Sequence, residues 1–270
     1  LRVVLIITLD DFLRIFICYK HIVMKKILLL LTGMFGIASF AQQYELPAQA
    51  SREQQVKHLL FTLSYHEGYE LASWVAWQLT PEQAKATGIF KEKYTADPLV
   101  TTGTSEPKDY KDAGFIIAQL APAADMFTSQ QAVEETFLMS NVVPQKPAFN
   151  KYIWKTNEKL IREWAKEGHT LYVVAGPVLA DAPFGTFGGN KVSIPVRYYK
   201  AVLDADGTRA IGFVFRNNVS TGTPKSFAVS IDELEKITGL DFFPQLQDDI
   251  ENEVESSKDF GKWNFQALEQ

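Results

Sequence analysis

The chain has 270 residues, of which 46 % are hydrophobic and 13 % aromatic, with 27 basic and 32 acidic side chains and a net charge of −5. That apolar content is ample for a packed core, and the acid excess excludes capture of a polyanion through overall charge, so nucleic acid would need a local basic groove. The single cysteine, Cys18, excludes a disulfide framework.

Met24-Lys25-Lys26, the apolar run from Ile27 to Leu31 and the small-residue site Ser39-Phe40-Ala41 have the layout of a secretory signal peptide, with Gln42 as the first mature residue. Export to the periplasm or to the outside of the cell is the expectation. Residues 1–23 precede that start, begin with Leu1, and read as an over-extended frame. Their apolar runs, from Val3 to Ile7 and from Phe12 to Cys18, fall short of the roughly 20 residues of a spanning helix. A membrane link is therefore expected only through an uncleaved N-terminus. Residues 42–270 read as a single domain. Five basic and two acidic residues lie in the first 41, which leaves 22 basic against 30 acidic in the rest, a net of −8.

After a polar leader, the run from Leu59 to Tyr65 alternates as a strand, and Glu70 to Leu79 forms the next apolar element. Thr80-Pro81-Glu82-Gln83 predicts a capped start to a short helix. A polar loop from Pro107 to Gly114 leads into a strand-length run from Phe115 to Leu120, and Thr136 to Met139 forms another short run. Apolar residues at Ile153, Trp154, Leu160, Ile161, Trp164 and Ala165 predict one helix from Asn150 to Lys166, stopped at Gly168. Strands follow at Leu171 to Ala175, Val192 to Val196, Tyr198 to Leu203 and Arg209 to Phe215, with Asp204-Ala-Asp-Gly207 as a hairpin turn. Ser230-Ile-Asp-Glu233 caps a helix that ends before Gly239. The acidic tail from Asp248 to Glu255 reads as a solvated face.

Three segments carry chemistry: Gly114-Phe-Ile-Ile-Ala-Gln-Leu-Ala-Pro-Ala-Ala-Asp-Met126, Ser140-Asn141-Val-Val-Pro-Gln145, and Phe149-Asn150 through Glu158. Together they resemble the DNA/RNA non-specific endonuclease family. The resemblance implies an α+β, ββα-metal fold, with a central, mostly antiparallel sheet flanked by helices. It also implies cleavage of DNA or RNA phosphodiesters with one divalent ion, Mg²⁺. Family members read Asp-Arg-Gly-His where this chain has Ile116, Ile117, Ala118 and Gln119. The histidine is the family's general base, because imidazole exchanges protons near neutral pH; a carboxamide does not. Ile117 stands where the family has a phosphate-holding arginine, and Phe90 and Thr95 stand where it commonly carries further arginines.

By the same resemblance Asn150 is the metal ligand, Glu158 reaches the metal through water, and Asn141 helps arrange the site. Glu158 lies eight residues beyond Asn150, on the same side of the helix and about 12 Å along its axis. On the residues alone, Asn150 also reads as an N-cap, Glu158 as a solvated helix residue and Asn141 as a turn former. His58, His66 and His169 read as ordinary surface or core histidines rather than replacement bases. The glycines from Gly185 to Gly189 lack the Lys-Ser/Thr ending of a phosphate loop.

Three functional expectations stand side by side: a weak or inactive family member that lacks its base, an Mg²⁺-dependent endonuclease with a compensating base, and a non-catalytic protein that binds a partner in the old groove.

Overall fold

The computed structural model describes residues 46–48, 53–219, 221–257 and 259–268. The proposed leader, residues 24–41, and the segment before it lie outside the described residues. Among those described, no helix is long and apolar enough to cross a membrane. Residues 43–270 form one compact unit.

Strands β1 (Gln54–Lys57), β2 (Phe61–His66) and β3 (Leu71–Leu79) open the chain as an antiparallel meander. Helix α1 (Pro81–Lys85) follows at once, with Thr80 Oγ1 accepting from the Gln83 N–H and Gln83 Oε1 accepting from the Thr80 N–H. A separate two-stranded ribbon joins β4 (Ile116–Gln119) to β5 (Val142–Gln145), with the short helix α2 (Gln130–Glu135) between them. Helix α3 (Lys155–Lys166) comes next, then β6 (Leu171–Pro177). A two-residue pairing of β7 (Thr186–Phe187) with β8 (Val192–Ser193) precedes β9 (Arg197–Asp204), β10 (Ala210–Arg216) and β11 (Ala228–Val229). Helices α4 (Ile231–Thr238) and α5 (Asp248–Ser256) end the fold.

The main sheet has the order β1-β2-β3-β6-β9-β10-β11, and every neighbouring pair is antiparallel. Because side chains alternate along a strand, the central strands feed two cores. Val75 and Trp77 of β3, Val173 and Ala175 of β6 and Val202 of β9 join Leu160, Ile161 and Trp164 of α3 and the β4–β5 ribbon on one face. Trp74, Ala76, Val174, Tyr199 and Ala201 join Ile231 and Leu234 of α4, Phe242 and Val254 on the other. Both faces are therefore covered, which explains why β3, β6 and β9 are almost entirely buried.

Several elements differ from the sequence expectation. β1 buries only Val56, so its polar residues hide an edge strand in what reads as a leader. The short run Thr136 to Met139 spans the end of α2, at Thr136, and the start of a 3₁₀ turn, Met139–Asn141. The strand expected from Val192 to Val196 stops at Ser193, since Pro195 has no N–H for a ladder. The acidic tail is a helix that turns Val254 and Glu255 inward, so it is not solvated throughout.

Candidate active site

The site forms where the β4–β5 ribbon meets α3. Gln119 is the last residue of β4, opposite Val142 in the ladder. Just beyond it the chain is pinned by Asn141, which is fully buried. Asn141 Oδ1 accepts from the Ala121 N–H at 2.9 Å, and its Nδ2 donates to the carbonyls of Ala121 and Thr136, both at 2.9 Å. Asn141 thus holds the backbone after Gln119 in place and uses its whole carboxamide to do so.

The Gln119 side chain is committed in the same way. Nε2 donates to the Thr136 carbonyl at 3.0 Å and to Thr136 Oγ1 at 2.8 Å, while Oε1 accepts from the Ala123 N–H at 3.2 Å. Both amide protons are used within the protein. A primary amide has no others to offer a water or a phosphate.

Asn150 does not cap the helix. Lys146 occupies the cap position, Pro147–Phe149 forms the first turn, and the Asn150 N–H donates to the Lys146 carbonyl at 3.0 Å. Asn150–Trp154 is a wider, π-type turn that runs into α3. In a strict α-helix eight residues advance about 800°, leaving Asn150 and Glu158 about 80° apart in azimuth. The π-type turn takes up extra chain length and brings both residues to the wall of one cavity. Asn150 Nδ2 donates to Gln145 Oε1 at 2.8 Å, which orients the amide and leaves Oδ1 without a protein donor among the described residues.

Behind Glu158 lies a charged cluster that sequence reasoning missed. Lys200, in the middle of β9 and only 1 % exposed, places Nζ 3.5 Å from Glu158 Oε1 and 4.2 Å from the Trp154 ring centroid. Burial lowers the Lys200 pKa from its ordinary value, against the pull of Glu158 and Asp125. Arg162, one helical turn beyond Glu158, donates to Asp125 Oδ1 at 3.0 Å, and Trp77 Nε1 donates to Asp125 Oδ2 at 3.1 Å. Burial raises the Asp125 pKa while Arg162 opposes the shift. Burial also works against the Arg162 charge, but Asp125 and Glu158 outweigh it and hold the guanidinium protonated. Two signals were available in the sequence: the i, i+4 spacing of Glu158 and Arg162, and a lone lysine inside the apolar run from Tyr198 to Leu203.

These groups surround a cavity of about 420 Å³ whose wall includes Phe90, Ile117, Gln119, Asn150, Lys155, Glu158 and Arg162. Asn141 lies behind the wall. A neighbouring depression of about 490 Å³ shares Phe90 but is lined by Lys91, Lys93, Glu134 and Glu135. Phe90 and Thr95 reach it, but Ile117, Gln119, Asn141, Asn150 and Glu158 do not, so the chemistry belongs to the smaller cavity.

No histidine among the described residues lines the cavity. His58 is buried with Nε2 3.0 Å from Asp97 Oδ2, His66 packs on the edge of Tyr69, and His169 Nδ1 lies 2.9 Å from Asp204 Oδ2. The Gly185–Gly189 loop is also occupied: the N–H groups of Gly189 and Asn190 donate to Asp109 Oδ1, and Gly188 (φ 71°) passes too close to Asp109 to carry a Cβ.

The donor set suits a hard divalent cation that keeps most of its water. It offers one amide oxygen without a protein donor and one carboxylate across the same cavity, although Lys200 and Arg162 already draw on that carboxylate. What the cavity lacks is a group that accepts a proton where the β4 strand ends.

Comparison with known proteins agrees with this architecture. The model of the DNA/RNA non-specific endonuclease family matches residues 39–249. A nuclease of Nostoc sp. is 31 % identical over 213 residues, covering 74 % of this chain and 76 % of its own. Human mitochondrial endonuclease G is 30 % identical over 223 residues, covering 76 % and 73 %. Among solved structures, a chain of the EndoG/EndoGI complex superposes with a TM-score of 0.68 at 24 % identity, covering 76 % of this chain and 91 % of that one. The fold is thus the α+β, ββα-metal architecture with a mostly antiparallel central sheet, and the chain belongs to the DNA/RNA non-specific endonuclease family.

Proposed function

We propose that this family member cleaves nucleic acid weakly or not at all, because the position of the general base is held by Gln119. The observation that carries the reading is the engagement of the Gln119 carboxamide by Thr136 and the Ala123 N–H. Such a group neither takes a proton from water nor has a free N–H to position one. Loss of a general base removes on the order of 10²–10⁴ in rate. Ile117 adds an apolar wall where a guanidinium would hold phosphate.

The cation half of the site supports descent from a metal-dependent hydrolase of DNA and RNA. Asn150 Oδ1 would hold Mg²⁺ directly, and Glu158 would hold it through water. When bound, the ion supplies Lewis-acid polarisation of a phosphoryl oxygen and a lowered pKa for its water. Lys155 and Arg162 place positive charge at the cavity wall, where a phosphodiester backbone would lie. This retained half favours a second reading, in which the groove binds DNA or RNA without cutting it. The leader-like residues 24–41 support export, to the periplasm or beyond.

A plasmid-nicking assay with Mg²⁺, paired with binding of a labelled oligonucleotide, tests these readings. Absence of nicking with retained binding fits the proposal. Robust nicking abolished by Asn150→Ala would instead establish an active enzyme with another base.

A further inference from the structure

On the sheet face opposite the cavity, α4 and α5 bring together Asp232, Glu235 and Glu255, with one carboxylate oxygen from each lying within 4.8 Å of the others. Glu255 is 6 % exposed, and its buried Oε1 has no hydrogen-bond partner. The charged groups that act most strongly on the Glu255 carboxylate are other acids, Glu235, Glu251, Asp232 and Asp241. Among the described residues, none of the three clustered carboxylates has a basic partner within 4.0 Å. The Phe242 N–H, 2.8 Å from Glu235 Oε1, is the one donor recorded for the three carboxylates there. Burial among like charges pushes the Glu255 carboxyl up to about 8, so its charged form needs either a proton or a cation to neutralise it.

We propose that Asp232, Glu235 and Glu255 form a second divalent-cation site, structural in role and suited to Ca²⁺. Oxygen ligands at 2.3–2.6 Å span up to about 5 Å across a Ca²⁺ ion, so the three carboxylates fit it nearly as they stand. Mg²⁺ demands ligands at about 2.0–2.1 Å in a regular octahedron and gives up its water reluctantly. The site would fasten α5 to α4. That helix needs fastening: Val254 is its only buried apolar residue, while Asp248, Asp249 and Glu253 are exposed. Glu255 also lies beyond the end of the family match at residue 249, which separates this site from the ancestral Asn150–Glu158 centre.

Calorimetric titration of CaCl₂ into metal-stripped Asn150→Ala protein isolates the new site. One Ca²⁺ is expected to bind, with weaker Mg²⁺ binding, and Tm is expected to rise with the logarithm of calcium concentration. Adding Glu255→Gln should weaken Ca²⁺ binding on the order of tenfold or more, since one charged ligand is lost, and should move the Tm rise to correspondingly higher calcium concentrations. In EDTA the Glu255→Gln variant should melt no lower than its parent, because a buried carboxylate has been removed from like charges. Asp232→Asn, at a less buried position, repeats the test without touching α5. Absence of calcium binding, an unchanged calcium response in both variants, or tighter binding of Mg²⁺ than Ca²⁺ would overturn the assignment.

Discussion

Gln119 is bound twice to one residue: its Nε2 donates to the carbonyl of Thr136 at 3.0 Å and to the hydroxyl of Thr136 at 2.8 Å. The Gln119 side chain is a brace between the end of β4 and the end of α2. Thr136 Oγ1 passes its own proton to the Val133 carbonyl at 2.7 Å, so the brace continues into the helix.

Restoring imidazole should restore chemistry, because Asn150 and Glu158 still line the cavity. Gln119→His is expected to raise Mg²⁺-dependent plasmid nicking by on the order of 10²-fold or more over wild type. Gln119→His/Ile117→Arg should raise it further, by adding a guanidinium for the phosphate. Adding Asn150→Ala to either variant should return activity to the wild-type level. Equal initial rates for wild type and both gain-of-function variants would show that the missing base is not the defect.

The Glu158–Lys200 pair sits at the floor of the site, with Lys200 1 % exposed and Glu158 at the cavity wall. Lys200→Met should leave the Glu158 carboxylate without its buried partner and cost about 1–3 kcal/mol in urea unfolding. The double variant Lys200→Met/Glu158→Gln should recover much of that loss, since no unpaired charge remains. Simple additivity of the two single variants would contradict the coupling.

Asp97 sets an acid limit to stability. Burial raises its pKa, but hydrogen bonds from His58, from Ser140 at 2.5 Å and from the Leu99 N–H at 2.9 Å outweigh it and leave the carboxyl below its ordinary value. The unfolded chain then binds the proton first as pH falls, so the stabilisation is full above about pH 4 and is lost as pH drops through the folded-state pKa. Asp97→Asn should lower stability at pH 7 by about 1.5–3 kcal/mol and flatten the loss below pH 4. Parallel acid limbs for the two proteins in denaturant titrations would count against this role.

Asn157, fully buried in α3, has neither its oxygen nor its nitrogen paired. Leucine has a similar size and no polar atoms, and it has the better helix propensity. Asn157→Leu should therefore raise unfolding free energy by about 1–3 kcal/mol. A fall in Tm would mean that the amide has a partner the fold depends on.

Much of the architecture is legible in the sequence where one physical signal dominates. β3, β6, β9 and β10 stand out because apolar residues crowd strands covered on both faces. α1 and α4 are marked by Thr80 and Ser230, each of which caps its helix as its spacing implies. β1 is not legible, since an edge strand with one inward residue leaves no alternation. The π-type turn at Asn150 has no sequence signature, yet it brings Asn150 and Glu158 to one cavity wall. Asp125, Arg162 and Lys200 come from three distant parts of the chain, and only the fold brings them behind Glu158. Glu255 misleads for a related reason: a run of acids reads as a solvated face, and the single one turned inward is set by the packing of Val254 beside it.

The most direct test is the initial rate of supercoiled-plasmid nicking by wild-type protein, purified free of contaminating nucleases, with and without Mg²⁺. The account predicts a rate on the order of 10²-fold or more below that of Gln119→His. Mg²⁺-dependent nicking by wild type at a rate matching Gln119→His, and lost in Asn150→Ala, would contradict it.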